Sequence, residues 1–219
     1  MILAIYGAGG LGREILELAY MINQNSKRWS DFLFVDDDAS KFLVQNVKVM
    51  PFDQIQSTYG PGEVEYSIAV GEPSTRKLLF EKLTEQQCQV ATLVHPDVHI
   101  PETTTLGRGA IISYGCFVSC NVAIGENVIL QPNANVGHDD VIGNHSVIST
   151  TAALGGACVL GEQAYVGLGA SVRELVNIGT NAVVGMGAVV MRDVEDDAIV
   201  AGNPARKMLN NTDHKVFHH

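Results

Sequence analysis

From Val94 onward an aliphatic residue stands at every sixth position: Val94, Ile100, Leu106, Ile112, Val118, Ile124, Leu130 and Val136, then Ile142, Ile148, Leu154, Leu160, Val166, Val172, Ile178, Val184 and Val190. An α-helix repeats every 3.6 residues and a half-buried strand every two, so neither makes this spacing. A chain that turns a corner every six residues does, and the period predicts a parallel β-helix of hexapeptide repeats over residues 94–195. Four residues after each aliphatic position comes a small or β-branched residue, such as Ala110, Cys116 and Val122. The one break in that rule is Asp140, two residues after His138.

Residues 1–93 carry shorter periods. An apolar run over 2–6 predicts a strand that stops at Gly7-Ala8-Gly9-Gly10-Leu11-Gly12. Ile15, Leu16, Leu18, Ala19 and Ile22 then give helical spacing over 13–23. Further strands are expected at 32–35, 47–50, 66–70 and 90–94, with a helix over 74–87 behind Pro73, a residue suited to a first helical turn. Strands alternating with helices predict a small Rossmann-like α/β domain with a parallel sheet. Residues 196–219 read as a terminal segment ending in a polar tail with His214, His218 and His219, disordered rather than metal-binding.

Composition fits a slim solenoid. Aromatic residues are only 6% of the 219, and glycine numbers 22, as expected when stacked methyl groups make the core and the corners need small residues. The net charge of −10 argues against a nucleic-acid partner, whose affinity comes from Lys and Arg on phosphates. Small anions remain open to backbone N–H groups. Cys88, Cys116, Cys120 and Cys158 read as free thiols, because Cys-x3-Cys without a second pair is a weak zinc signal. With no secretory signal and no apolar run long enough to span a bilayer, a cytoplasmic protein is expected.

Gly7-x-Gly9-x-x-Gly12 behind a strand, with Asp36 two dozen residues on, matches a dinucleotide fingerprint. Yet a full dinucleotide fold needs two βαβαβ halves, and the chain before the hexads has room for about one. A mononucleotide half-site follows: loop N–H groups and the helix start face a phosphate, and Asp36 or Asp37 accepts hydrogen bonds from a ribose or base. The competing reading is a tight turn that binds nothing.

In the coil, His138 is followed by Asp139 and Asp140. A neutral imidazole suits a general base near neutral pH, and an adjacent carboxylate fixes its tautomer and stabilises the imidazolium. His145 lacks an acidic neighbour, His95 precedes Pro96 at the domain junction, and these two with His99 read as structural or solvent-facing.

The unbroken hexads, Gly137-His138-Asp139 in mid-coil and the closing Gly202-Asn203-Pro204-Ala205-Arg206 together resemble the left-handed β-helix acyltransferases. The glycine-loop domain narrows the resemblance to sialic acid O-acetyltransferases and N-acetyltransferases of nucleotide-linked 4-amino-4,6-dideoxy sugars, as in bacillosamine biosynthesis. It spans about residues 2–208 and implies an α/β domain joined to a left-handed parallel β-helix, acetyl-CoA as cosubstrate, and no metal. Carried over by residue, it makes His138 the base, Asp139 its orienting acid, and the Gly156 N–H the donor to the thioester oxygen as it becomes an oxyanion. Coenzyme A is then expected along Gly156, Leu168, Gly169, Met186 and Gly187, with Arg206 near its phosphates. Gly9, Gly10, Asp36, Asp37, Arg76 and Gln131 match nucleotide-sugar contacts. The chain departs from the amino-sugar group at Leu11 and Val147, where those enzymes often have His, and at Gln131, where they have Asn.

The resemblance also implies a homotrimer with sites between neighbouring coils, and direct transfer without an acyl-enzyme, since no Cys or Ser pairs with His138 at a recognisable spacing. Three rival readings remain at this point. They are O-acetylation of a sugar hydroxyl, a sugar-binding scaffold without catalysis, and a nicotinamide oxidoreductase.

Overall fold

The structure is a computed structural model and describes residues 1–38 and 42–217. His218 and His219, expected in the polar tail, lie outside the described residues.

The N-terminal sheet contains β1 (Ile2–Tyr6), β2 (Asp31–Val35), β3 (Leu43–Val44), β4 (Val47–Met50), β5 (Val64–Ile68) and β6 (Gln89–Val90), in the order β3-β4-β2-β1-β5-β6. All pairs are parallel except the β3–β4 hairpin. Burial on both faces explains why β1 is a continuous apolar run. Leu3 and Ile5 join the cluster under helix α1 (Gly10–Ser26), while Ala4 and Tyr6 join the one under α2 (Phe52–Thr58) and α3 (Pro73–Glu85). Connections leave β1 in opposite directions, to β2 on one side and β5 on the other, which places a switch point at its carboxyl end.

Some details differ from the periodicity: β3 was not expected, and the strand expected over 66–70 is Val64–Ile68. Helix α1 starts at Gly10, so the loop glycines form its first turn. The short α2 was not expected, because it carries only Phe52 and Ile55 as buried residues, too few to mark a period. The strand expected over 90–94 is two pieces: β6 ends the α/β sheet, and Leu93–Val94 begins the coil.

In the coil each hexad is a two-residue strand followed by a four-residue corner, and strands eighteen residues apart stack in parallel. Three faces result. The first holds Leu93–Val94, Ile111–Ile112, Ile129–Leu130, Val147–Ile148, Tyr165–Val166 and Val183–Val184; the second begins at Thr105–Leu106 and the third at Phe117–Val118. The third corner residue adopts positive φ at Asn121, Asn133, Asp139 and Asn181 among others, a conformation that Asn, Asp and Gly reach at least cost. The hexad residues Val118, Val136, Leu154 and Val172 point inward with the small residues as one continuous core.

The first face is covered. Its outward residues Ile111, Ile129, Val147, Tyr165 and Val183 are buried in the same cluster as Ile15, Leu16, Leu18 and Ala19 of α1. Each fully buried aliphatic side chain there stabilises the junction by about 1.5–3 kcal/mol.

The coil also runs past the expected boundary at residue 195. Ala198–Ala201 joins the first face with Val183 opposite Ile199 and Val184 opposite Val200, and Arg206–Asn210 pairs back on it antiparallel. The last turn is two residues shorter than the rest, as the bridge between Ile178 and Val194 shows. The hexad phase therefore ends before the β-helix does. Beyond it, the Val216 and Phe217 N–H groups both donate to Glu72 Oε2, at 2.9 and 3.1 Å, which ties the tail to the α/β domain.

Candidate active site

His138 and Asp139 occupy the corner between the third face and the second, the edge of the prism opposite the covered face. His138 Nδ1 lies 2.7 Å from Asp139 Oδ2, and both side chains are more than half exposed, at 63% and 52%. A carboxylate on Nδ1 selects the Nδ1–H tautomer and leaves Nε2 as the acceptor. The bond to His138, then one from Asn121, holds the Asp139 carboxyl below its ordinary pKa.

The imidazole rests on Gly156, one coil further on. A Cβ at Gly156 would overlap His138 Cε1 and Nε2, so only glycine leaves the ring this position. The corner N–H groups of Glu126, Thr150 and Thr180 each donate to a side-chain oxygen of another coil. Among the described residues nothing accepts the equivalent N–H of Gly156. A free acceptor nitrogen and a free N–H donor thus sit together on an open edge.

Asp140 does a different job. It is fully buried, with Oδ2 accepting the Gly137 N–H at 2.8 Å and Oδ1 the Cys158 N–H at 2.7 Å. Thr104 and Ser146 at the same hexad place accept the N–H of Val122 and Ala164, also in the next coil. The break in the small-residue rule is therefore a rung between coils. Burial pushes the Asp140 carboxyl up to about 6. Folding then favours its protonated form, so its contribution to stability is fully present below the ordinary carboxylate value near 4 and lost as pH rises through about 6. In urea denaturation, wild type should gain up to roughly 2 kcal/mol relative to Asp140→Asn between pH 7.5 and pH 4.5. A constant difference across that range would refute this.

His145 and His95 are structural, as expected, and His99 is exposed. His145 is buried with its pKa lowered to about 4 by desolvation, and its Nδ1 lies 3.0 Å from Asn127 Nδ2. His95 is buried with Nε2 3.1 Å from Met21 Sδ. His214, expected in a disordered tail, is instead ordered, its Nε2 3.1 Å from Asp197 Oδ1. All four cysteines are free thiols. Ser149 and Cys158 are buried, unsuited to carry an acyl group.

Of the expected coenzyme contacts, Leu168, Gly169, Met186 and Gly187 lie on another edge, between the covered face and the third. Leu168 and Met186 are exposed there, at 48% and 77%, and Gly169 and Gly187 follow them with φ of +64°. The Gly187 N–H donates to Leu168 O at 2.8 Å, which stacks these two corners. Gln131 is on the same edge, its Oε1 accepting the Thr150 N–H at 3.2 Å. Arg206 borders a cleft of about 480 Å³ at the end of the coil. Within one chain, then, His138 with Gly156 and the Leu168–Met186 track stand on separate edges.

In the α/β domain, Gly7 with φ +109° and Gly12, where a Cβ would collide with Gly7 O, are needed for the turn itself. Gly9 and Gly10 are exposed, and a Cβ on Gly9 would meet nothing within 4 Å. No side chain caps α1 at Gly9, so its first N–H groups face the space beside the switch point. Asp36 and Asp37 follow β2 at the same end, where Gly7 N–H donates to Val35 O at 2.8 Å.

Arg76 requires a correction. It is fully buried, and all five of its N–H donors are taken: by Asn127 O and Oδ1, Ile68 O and Val70 O, at 2.6–3.1 Å. Rather than a nucleotide-sugar contact, it is a buried link between α3 and the coil, beside the Lys77–Glu162 ion pair and the Phe80–His145 ring contact. Desolvation lowers its pKa to about 9, which still leaves a cation at neutral pH. Val147 is likewise closed off beneath α1, in the cluster against which Leu11 packs. Sequence reasoning missed Asn127, whose buried amide receives Arg76 and returns a hydrogen bond to its carbonyl. Its only signal was an Asn at a positive-φ corner, which many corners share.

Residues 2–83 match the PglD N-terminal domain. The GDP-perosamine N-acetyltransferase of Escherichia coli O157:H7 is 31% identical over 143 residues, which cover 62% of this chain and 61% of that protein. The aligned part thus spans about three fifths of that curated relative. The acetyltransferase domain of PglB from Neisseria gonorrhoeae FA1090, solved with acetyl coenzyme A, matches with a TM-score of 0.88 and 28% identity over 94% of this chain and 98% of that one. PerB from Caulobacter crescentus, solved with CoA and GDP-perosamine, gives a TM-score of 0.86 and 26% identity over 95% and 97%. A PglD-type domain seated on a hexad coil makes the chain similar in sequence and fold, over nearly its whole length, to these left-handed β-helix acetyltransferases.

Proposed function

We propose that the protein is an acetyl-CoA-dependent N-acetyltransferase that acylates the 4-amino group of a nucleotide-linked 4-amino-4,6-dideoxy sugar for a surface glycan. The observation that carries this reading is the imidazole of His138 seated on Gly156, with Asp139 on Nδ1 and an unused N–H beside it. As the sugar amine attacks the thioester carbonyl, Nε2 takes the proton it sheds, and the Gly156 N–H stabilises the oxygen as it becomes an oxyanion. The C–S bond then breaks, and coenzyme A leaves as a thiolate that takes up the proton. The coenzyme lies along Leu168, Gly169, Met186 and Gly187 and reaches Arg206, while the nucleotide sugar lies on Gly9, Gly10, Asp36 and Asp37 with Gln131 nearby. Free thiols and the use of acetyl-CoA favour a cytoplasmic location.

The protein is read as a homotrimer with shared sites. The glycine loop belongs to the domain on the covered face, and His138 stands on the opposite edge, so a nucleotide sugar on the loop is read as meeting a neighbour's imidazole. Exposed Tyr114, Phe117, Val141, Val159 and Leu175 on the uncovered faces and edges supply apolar surface for such neighbours.

The test is acetylation of GDP-, UDP- and dTDP-linked 4-amino sugars, with NAD and sialic acid as controls, followed by mass spectrometry. Product from the amino sugars supports the proposal, and product from sialic acid alone would transfer it to O-acetylation. Mixed trimers test the shared site. His138→Ala and Gly9→Glu, the latter placing a carboxylate where a diphosphate is expected, should each be inactive alone. Co-expressed, they should recover about a quarter of wild-type activity, since that share of junctions pairs an intact loop with an intact base. No recovery in verified mixed trimers would put the site within one chain.

A further inference from the structure

We infer that Asn121 is a positioning residue for the base: it fixes the Asp139 carboxylate from the coil below, and so fixes the ring of His138. The inference rests on the reading of His138 as the base. Asn121 and Asp139 are eighteen residues apart and occupy the same place in successive corners, with φ of 58° and 62°. Asn121 Nδ2 donates to Asp139 Oδ1 at 3.0 Å, while Asp139 Oδ2 takes His138 Nδ1 at 2.7 Å. Each carboxylate oxygen therefore has its own donor, which stops rotation about the Asp139 Cβ–Cγ bond. Asn121 is itself steadied from beneath, its N–H donating to Thr103 Oγ1 at 3.0 Å.

Such a support has work to do at this site. Nearly two thirds of the His138 side chain is exposed, and Gly156 offers its ring only a surface to rest on. With both His138 and Asp139 open to water, neither is held by packing, and their alignment depends on hydrogen bonds. Both bonds to Asp139 also favour its ionised form, the form that stabilises the imidazolium as the amine loses its proton.

The bland alternative is that Asn121 is present because asparagine tolerates a positive-φ corner. Two substitutions separate that role from positioning. Asn121→Gly keeps the backbone conformation and removes the amide. Asn121→Asp keeps the size and the turn preference but presents an oxygen to Asp139 in place of the donor.

Asn121→Gly should lower kcat roughly tenfold to a hundredfold with little change in either KM, the size expected when a reacting group is misaligned. Asn121→Asp should lose at least as much and move the acidic limb of the kcat profile to higher pH, because added negative charge favours the imidazolium. In an Asp139→Ala background neither change should have a further effect, since Asn121 would have nothing left to hold. Thermal melts of every variant separate these losses from unfolding. Wild-type kcat in Asn121→Gly, or its full loss added on top of Asp139→Ala, would overturn the inference. If His138→Ala is inactive while Asn121→Gly is normal, only the role of Asn121 falls. If His138→Ala is itself active, the reading of the base falls first.

Discussion

His138→Ala is expected to lower kcat roughly 10²–10⁴-fold while leaving the KM for acetyl-CoA nearly unchanged, the usual yield of a positioned general base. The expectation follows from position as much as from residue type. The imidazole has its Nδ1 proton held by Asp139 and its Nε2 over Gly156, and the expected coenzyme track from Leu168 to Gly187 lies on another edge of the prism. Removing the ring deletes the acceptor for the amine proton and leaves the Gly156 N–H in place, so a residual rate from that N–H and from binding should persist. Gly156→Ala serves as a geometric counterpart. It retains the imidazole but drives a Cβ into its ring atoms, so it should lose much of the same rate with His138 intact. Steady-state kinetics on a nucleotide 4-amino sugar decide the matter, and near-wild-type turnover in His138→Ala would remove the residue from the mechanism.

The second large effect is on stability. Arg76→Ala should destabilise the α/β domain by about 4 kcal/mol, because it deletes five hydrogen bonds, opens a cavity, and leaves buried carbonyls at Ile68, Val70 and Asn127 short of a donor. Arg76→Lys should recover only part of this, since an ammonium cannot reproduce a planar fork that serves both domains. Trp29, the single tryptophan, is buried in the α/β domain and reports its unfolding by fluorescence, while circular dichroism follows the coil. In Arg76→Ala the fluorescence transition should move to lower urea than the coil transition. Unchanged, coincident midpoints would show that α3 is held by other contacts.

How far the sequence disclosed this molecule depended on how local each signal was. The coil was legible because every hexad repeats the same demand, an inward aliphatic and a small corner residue, and a regular pattern over many turns has no competing explanation. Its end was misplaced because the final turn drops two residues, which shifts the phase while the parallel pairing of Val184 with Val200 continues. The hydrogen-bonded pair proposed as base and acid could be read because His138 and Asp139 are neighbours in the chain. Asn121 was not, since its partner lies a full coil away and asparagine at a corner is commonplace. Arg76 was misassigned for a related reason: an arginine near a nucleotide site suggests phosphate, and nothing local reveals that Asn127 waits across the junction with a matched set of acceptors. Asp140 drew attention as an anomaly beside His138, but its carboxylate holds two backbone N–H groups rather than the imidazole.

The stacking of corner on corner makes the coil a ruler with coarse divisions. Neighbouring strands are separated by about 4.8 Å, so the backbones of Asn121, Asp139 and the glycine against the imidazole stand one graduation apart, and no equivalent corner on that edge begins at an intermediate height. A whole coil can be added or removed without disturbing the core, but doing so carries the base a full step along the axis relative to the docked domain. Fine adjustment of the distance between nucleotide and imidazole therefore cannot come from the length of the coil. It falls to the junction, where a buried arginine fork and the apolar face under α1 together set the zero of the scale.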